Sequence, residues 1–592
     1  MTDADNPGSF ATSPKTLAIA KLSVGLIQGA LLYFLYASSE AKSWPATDRY
    51  LFAILATIGC AVPVLAINAL GRLRSIVLVC WLVIASILCA IVAAQHVYRG
   101  GPDFATEWFS LSLLFFVACF VMQSLIVAGQ SEGRIIASYT RYFDISWNLG
   151  VQVALALLFV GALWLLLWLG ASLFELIKID VLRELIKKRW FDFPVTTMAL
   201  AYSLNLTAVR VNLVTGARTL TLTLLSWLLP VMTTFAVLFV AALPFVGLEL
   251  LWATRHAATI LLSSTAALVV LVNAAYREGE PNAEVPQFLR MFRWVAALVI
   301  APLTGLAGYA IWLRVSQYGW SQERVFAAAC LIVATCYAIG YALAAIISQL
   351  SLKPLERTNV FTAVITVGLL LALLSPIADP YRVSVADQIG RLKSGKISAG
   401  QFDYTLLRFR TGSYGMNALR QLADSAEGPE SGEIKERSNK ALAATSQFQL
   451  RQTGQATPAS RAGNITVLFP KGASLPPSFL QFSSATTPAQ SVWQLPSCLI
   501  RDAKCEALLV DLDGDGKDEV VLFNAPFGPG VVFQSDGGEN WILLGQISNS
   551  HCNGIREALR TGNLEIAVPK WKEIEVAGQR LTLTLPCTTV KR

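Results

Sequence analysis

The chain has 592 residues, of which 54% are hydrophobic and only 15% charged, with a mean hydropathy of +0.53. That composition excludes an ordinary soluble globular protein. The net charge of +8, from 47 Lys and Arg against 39 Asp and Glu, does not point to nucleic acid, because basic residues in a polytopic membrane protein mainly mark cytoplasmic loops.

In chain order, residues 1–16 are an N-terminal tail and residues 17–378 a transmembrane domain. Ten stretches there are long and apolar enough to cross a hydrocarbon core of about 30 Å at about 1.5 Å rise per residue. They run Leu17 to Ser38, Tyr50 to Leu70, Ser75 to Gln95, Trp108 to Gly129, Trp147 to Ile177, Thr219 to Leu243, His256 to Tyr276, Phe292 to Leu313, Val325 to Ile347, and Asn359 to Ser375. The fifth is too long for a straight span and predicts a tilted or interfacial continuation. The first reads as an uncleaved span, since its apolar run exceeds the roughly 7–15 residues of a signal-peptide core. Between spans five and six, Lys178, Arg183, Lys187, Lys188, Arg189, Arg210 and Arg218 predict a cytoplasmic segment, which places the polar tail after Asp379 outside the inner membrane and the N-terminus outside as well. Against that reading, Arg72, Arg74, Arg134 and Arg141 fall on the outer side. Phe193 to Val209 is a marginal apolar run, and Pro194, Asn205 and the nearby cations favour a half-buried amphipathic elbow over an eleventh span.

Polar residues inside spans are the place to seek a pathway, because an intramembrane charge is costly. Lys21 sits near a helix end, where snorkelling to the interface is the simpler use. Gln28, Gln123, Gln152 and Asn273 read as interhelical hydrogen-bond partners. Pro63, Pro230, Pro244 and Pro302 could break helices around a midplane site, though prolines also occur in ordinary spans. Glu249, Arg255 and His256 cluster in a short outer turn and read as a solvated ion pair.

The strings FELIKIDVLRELIKKRWFDFPVTTMALAYSLNLTAVRVNLVTGARTL (Phe174 to Leu220), TLLSWLLP (Thr223 to Pro230), LWATRHA (Leu251 to Ala257), NAAYREG (Asn273 to Gly279), QYGWSQERV (Gln317 to Val325) and FDYTLLRFRTGSYGMNAL (Phe402 to Leu419) together resemble a bacterial membrane-protein family known as domain of unknown function 4153. The resemblance spans most of residues 140 to 420. It implies fold and location, and brings no activity, cofactor or site.

Residues 379–425 read as a helical juxtamembrane neck, with Ser384/Asp387 and Ser398/Gln401 at the spacing of reciprocal helix-start caps. Residues 426–462 are small and polar, the composition of a flexible linker. Residues 463–592 read as one β-rich domain, with strands at Ile465 to Phe469, Glu506 to Leu512, Glu519 to Phe523, Gly530 to Gln534, Trp541 to Ile547, Leu564 to Val568 and Arg580 to Leu585. The expected fold class is therefore an α-helical polytopic membrane bundle of about ten helices plus a C-terminal extracytoplasmic β-rich domain.

Within that domain, Asp511, Asp513, Asp515, Lys517 and Glu519 form a calcium-loop pattern. Alternate carboxylates converge on one hard cation, Gly516 permits the turn, Lys517 offers its carbonyl and Glu519 closes the ring. Leu522 occupies the position where an EF-hand needs Glu. The string DLDGDGKDE resembles instead the loop of integrin-type FG-GAP propeller repeats, in a single copy, and implies Ca²⁺ as a structural staple; a plain acidic turn is the alternative. Cys498, Cys505, Cys552 and Cys587 all fall in this domain, and an even count suggests two disulfides. Pairing Cys498 with Cys505 and Cys552 with Cys587 is preferred among three connectivities, with a zinc site as the rival use.

No serine-nucleophile elbow, HExxH or Walker A string is present, and with only three histidines catalysis has few candidates. The expected function is non-enzymatic binding or sensing in the bacterial envelope by the periplasmic domain, with membrane lipid and an envelope ligand or protein as partners. A transporter or permease subunit is the alternative, and a membrane-embedded enzyme ranks third.

Overall fold

A computed structural model describes residues 13–592 apart from 101–103, 250–253, 255, 278–285, 349–350, 448–457, 483–493, 501–502, 525–528, 538–539, 548, 550–551, 553, 562–563, 568–573, 577–578 and 582–592. The chain forms two compact units, Met1–Lys435 and Glu436–Arg592.

The first unit is a helical bundle: α1 (Pro14–Glu40), α2 (Arg49–Ala69), α3 (Ser75–Arg99), α4 (Phe104–Glu132), α5 (Tyr139–Leu176), the short α6 (Val181–Lys187), α7 (Arg189–Val209), α8 (Val211–Val246), α9 (Ala257–Tyr276), α10 (Gln287–Tyr318), α11 (Gln322–Ser348) and α12 (Leu355–Leu374). Ten of these, all but α6 and α7, are long and apolar enough to cross a membrane. The chain is thus a multi-pass membrane protein. Start signals act as the sequence dictates: Ser13 accepts from Thr16 N–H with Pro14 in the first turn, and Asp48 accepts from Tyr50 and Leu51 N–H. Helices α2, α8 and α10 continue through Pro63, Pro230, Pro244 and Pro302, so these prolines do not divide them into half-helices.

The elbow expected at Phe193 to Val209 is instead a continuous 21-residue helix, α7, packed antiparallel to both α1 and α5. Small residues allow the close approach. A Cβ added at Gly25 would lie 2.7 Å from Ala201 Cβ, and one at Gly29 would overlap Pro194 Cα. Further along α1, Tyr36 meets the Phe193 ring at 5.9 Å. On α5, Phe159 meets Tyr202 at 6.1 Å, and Trp164 Nε1 donates to Thr196 Oγ1 at 3.0 Å. Residue numbers rise along α1 and α5 as they fall along α7.

Contacts define two ends of the bundle. At one, Leu17 fills the space beside Gly71, Arg72 donates to Gln152, Tyr139 to Asn273, Arg277 to Thr223 and Tyr276 to Glu356. At the other, Tyr36 meets Phe193, Arg99 pairs with Asp379, and Trp320 N–H donates to Asp387. Helices α1, α3, α5, α8, α10 and α12 run from the first end to the second, and α2, α4, α7, α9 and α11 run back. The start of α1 and the chain after Leu374 therefore lie at opposite ends.

Beyond Leu374 come α13 (Pro380–Lys393), α14 (Tyr404–Phe409), α15 (Gly412–Ser425) and α16 (Ser431–Ala443). The capping box expected at Ser384 and Asp387 is not used: Asp379 caps α13, with Pro380 at its first position, while Ser384 donates to Trp320 carbonyl and Asp387 accepts from Trp320 N–H. Ser398 likewise leaves the capping to Asp403, whose side chain accepts from Leu406 N–H. Helix α16 lies inside the stretch read from composition as a linker.

In the second unit, strands β1 (Ile465–Phe469), β2 (Cys505–Val510), β3 (Glu519–Asn524), β4 (Gly530–Ser535) and β5 (Trp541–Ile547) form one sheet in that order. β1 and β2 are parallel, so they need a crossover; β2 to β5 are an antiparallel meander. Both faces are covered. Ala507, Leu509, Leu522 and Phe533 pack with Phe479 and Trp541 on one side, and Leu508, Val521, Phe523 and Val532 pack with Leu559 and Leu564 on the other. The strand expected at Leu564 to Val568 is not one over 564–567, and of the strand expected at Arg580 to Leu585 the described part, within Gln579–Leu581, pairs with Ile574–Val576 in a separate hairpin, 582–585 lying outside the described residues.

Candidate functional site

Three polar assemblies interrupt the apolar packing. The first joins four helices at one end of the bundle. Tyr139 OH donates to Asn273 Oδ1 at 3.2 Å, Asn273 Nδ2 donates to Tyr341 OH at 2.7 Å, Tyr341 OH donates to Asn359 Oδ1 at 2.9 Å, and Asn359 Nδ2 returns to Asn273 Oδ1 at 2.8 Å. Nearby, Tyr276 OH donates to Glu356 at 3.0 Å, with the Arg293 guanidinium 5.2 Å from the Tyr276 ring centre. Arg218 and Asp144 form a half-buried ion pair at 2.5 Å. Leu268, Val272, Ile300 and Leu303 surround this group as a dry core. A hydrogen-bonded ring of this kind fixes helix register.

The glutamines act as the sequence suggested. Gln28 Nε2 donates to the Gly59 and Cys60 carbonyls, Trp81 Nε1 donates to Gln123, and Arg72 donates to Gln152 at 2.6 Å. Lys21 is 3% exposed, so most of its side chain is covered by the bundle. Glu249 and His256 are exposed, and Arg255 lies outside the described residues.

The second assembly stands at the opposite end. Arg99 Nε donates to Asp379 Oδ2 at 2.6 Å and its NH2 to the Leu373 carbonyl at 3.1 Å. Gln95 Nε2 donates to the same carboxylate at 2.6 Å and to Tyr414 OH at 2.8 Å. Asp379 Oδ1 accepts from Tyr381 N–H at the start of α13. One carboxylate thus satisfies a guanidinium, an amide and a helix start, which a buried charge requires. Gly412 fits this corner because any Cβ would meet the Arg99 and Gly100 carbonyls, and its φ of +55° suits glycine. Beside it lies a cavity of about 200 Å³, lined mainly by apolar side chains such as Val92, Phe115 and Leu374, with Thr57 and His96 among them.

Sequence reasoning passed over Arg99, Asp379, Tyr341 and Asn359. The available signals were an Asp-Pro pair just after an apolar span, and Asn at the start of another. Neither specifies its partner, which for Asp379 lies 280 positions away and for Asn359 18 and 86 positions away.

The third assembly is the β2–β3 loop. The register pairs Val510 with Glu519, so residues 511–518 form the hairpin connection. Carboxylate oxygens of Asp511, Asp513 and Glu519 lie within 4.8 Å of one another; Asp515 is not in that group. Asp511 accepts from Gly514 and Gly516 N–H, Asp513 from Asp515 N–H, and Asp515 from Lys517 N–H. Gly514 and Gly516 have φ of +80° and +83°, which the turn demands. Glu519 is buried and accepts from Leu512 N–H at 2.7 Å. Burial raises its carboxyl above the ordinary range, the Leu512 bond opposing this and Asp513, Asp515 and Asp511 adding to it. A buried carboxylate beside two aspartates has the donor set of a hard-cation site. Cys498 and Cys505 are joined by a disulfide; the other expected pair involves Cys587, which lies outside the described residues.

Residues 51–419, more than half of the chain, match the family described as Domain of unknown function (DUF4153). No curated protein and no solved structure matches the chain.

Proposed function

The chain belongs to the DUF4153 family, and from that membership we propose that it is a non-enzymatic protein of the bacterial inner membrane that presents a binding or sensing domain to the envelope. One observation carries the reading: the buried Arg99–Asp379 pair ties the last span and the neck helix α13 to the end of α3. An extramembrane segment secured this way suits a platform more than a passing connection.

The placement proposed for that platform supposes that α7 crosses the membrane. If α7 crosses, the bundle has eleven spans, with the start of α1 inside and the chain after Leu374 outside. Arg72, Arg74, Arg134, Arg141, Arg210, Arg218, Arg277, Arg290, Lys353 and Arg357 then gather at the inner end, while Lys178, Arg183, Lys187, Lys188 and Arg189, read from the sequence as cytoplasmic, fall at the outer end. The outer cations Arg183 and Arg189 pair with Glu175 and Asp192. The Cys498–Cys505 disulfide fits an oxidising compartment. In the second unit, Asp511, Asp513 and Glu519 would hold Ca²⁺ as a loop staple, with Asp515 and the Lys517 carbonyl as further donors.

The transporter alternative has less support, since Gln28, Gln123, Gln152 and Asn273 bond across helices instead of lining a polar path. The deciding test compares, in the native host, a strain lacking residues 463–592 with one lacking the whole gene. Matching envelope phenotypes support a function exercised by the outer domain; a truncated chain that restores every wild-type phenotype rejects it.

A further inference from the structure

Among the described residues, Lys21 is a charged side chain without a counter-ion. It stands seven residues into α1, about 10 Å from the helix start at about 1.5 Å per residue, and is 3% exposed. Among the described residues no hydrogen bond or ion pair holds its ammonium. Its charged neighbour is another cation, Arg72, at the end of α2. Arg72 in turn donates to Gln152 Oε1 at 2.6 Å, which leaves the Gln152 amide NH₂ as a third donor in the same corner. Among the described residues, the acids at this end of the bundle are engaged: Asp144 with Arg218 and Arg141, Glu132 with Ser138, and Glu356 with Tyr276. Beneath the corner lies an apolar floor of Ile67, Ala156, Ala201 and Leu204, with Leu22 and Val24 packed against it.

Two cations, Lys21 buried and Arg72 half-buried, stand beside an amide donor and face no carboxylate among the described residues, so they repel one another until an anion joins them. The depth near a helix end and the apolar floor suit an anion that carries a hydrocarbon tail, and basic pockets between transmembrane helices are a known form of anionic-lipid recognition. We propose that Lys21, Arg72 and Gln152 form a binding site for the phosphate of an anionic phospholipid headgroup, held between α1, α2 and α5.

The test uses the full chain, delipidated in neutral detergent, with thermal unfolding followed after addition of phosphatidylglycerol, phosphatidylcholine or inorganic phosphate at equal concentration. Ligand bound only to the folded state raises the midpoint. Phosphatidylglycerol is expected to raise it above the phosphatidylcholine value, and inorganic phosphate is not. Lys21→Met is expected to raise the lipid-free midpoint, because it removes an uncompensated charge, yet to lose more than half of the phosphatidylglycerol increment. Lys21→Arg should keep the increment, and Arg183→Met, at the other end of the bundle, should leave it intact. Should Lys21→Met not fold, phosphatidylglycerol retained by Lys21→Arg and by Arg72→Gln, counted by native mass spectrometry, decides the matter: retention by the first and loss by the second is expected. An increment equal in wild type and Lys21→Met, or equal retention by Arg72→Gln, overturns the site. Stabilisation by inorganic phosphate as large as that by the lipid overturns the headgroup assignment in favour of a free anion.

Discussion

Arg99 and Asp379, 280 positions apart in sequence, share a 2.6 Å hydrogen bond between two buried side chains. The same carboxylate starts α13, so the pair ties a span to the neck that follows the last one. Removing only one partner strands a buried charge. Asp379→Leu is therefore expected to cost about 3–5 kcal/mol, part of it the lost helix cap at about 1 kcal/mol. The double variant Arg99→Met, Asp379→Leu should recover much of that loss, as read by detergent-solubilised unfolding. A double variant no more stable than Asp379→Leu alone would show that the charge pair is not the source of the cost.

Helix α7 decides the topology. With eleven crossings, residues 184 and 353 lie on opposite sides of the membrane; with ten, on the same side. Single cysteines at Glu184 and Lys353, labelled with an impermeant maleimide on a background lacking the native cysteines, should react from outside at 184 and only after permeabilisation at 353. Equal reactivity at both would remove the eleventh span.

The close approach of α1 and α7 rests on absent side chains. Gly29→Leu places atoms where Pro194 stands, and overpacking of this kind costs about 1–3 kcal/mol or more. Gly161 has nothing within 4 Å of its Cβ position, so Gly161→Ala should not destabilise. Thermal melting of both variants checks the contrast, and equal loss would mean that the α1–α7 contact contributes nothing special.

Tyr341 is fully buried and bonds both Asn273 and Asn359. Tyr341→Phe leaves amide groups short of a partner and is expected to cost about 1–3 kcal/mol. Double-mutant cycles with Asn359→Leu should reveal coupling; strict additivity would mean the ring acts as separate bonds.

Glu519 sets the pH response of the acidic loop. Its folded carboxyl holds a proton more readily than the unfolded one, so the folded state binds more protons in the window above the ordinary carboxylate value. Metal-free stability from this group is fully present below that window and declines as pH rises through it. Calcium should reverse the trend, since it binds the ionised form. Hydrogen exchange of β2 and β3 in the full chain should show faster opening at neutral than at mildly acidic pH without calcium, and calcium-dependent slowing at neutral pH. Glu519→Gln should flatten the acid response and weaken the slowing. Exchange indifferent to both pH and calcium would reduce the loop to an acidic turn.

The apolar spans and the strand, loop, strand pattern around Asp511 to Glu519 are legible along the chain, because hydropathy and turn chemistry act over a few residues. The same holds for Gln28, Gln123, Gln152 and Asn273: a polar group in a span must find a partner, whichever it is. What tertiary structure alone decided are the identities of the partners. A marginally apolar run became a packed helix because Gly25 and Gly29 lie opposite Ala201 and Pro194. Asp379 displaced Ser384 as the start of α13 because Arg99 and Gln95 waited at the end of α3. Lys21 is covered because α7 packs along α1 around it, and no local pattern encodes a proximity set by the folding of distant helices against one another.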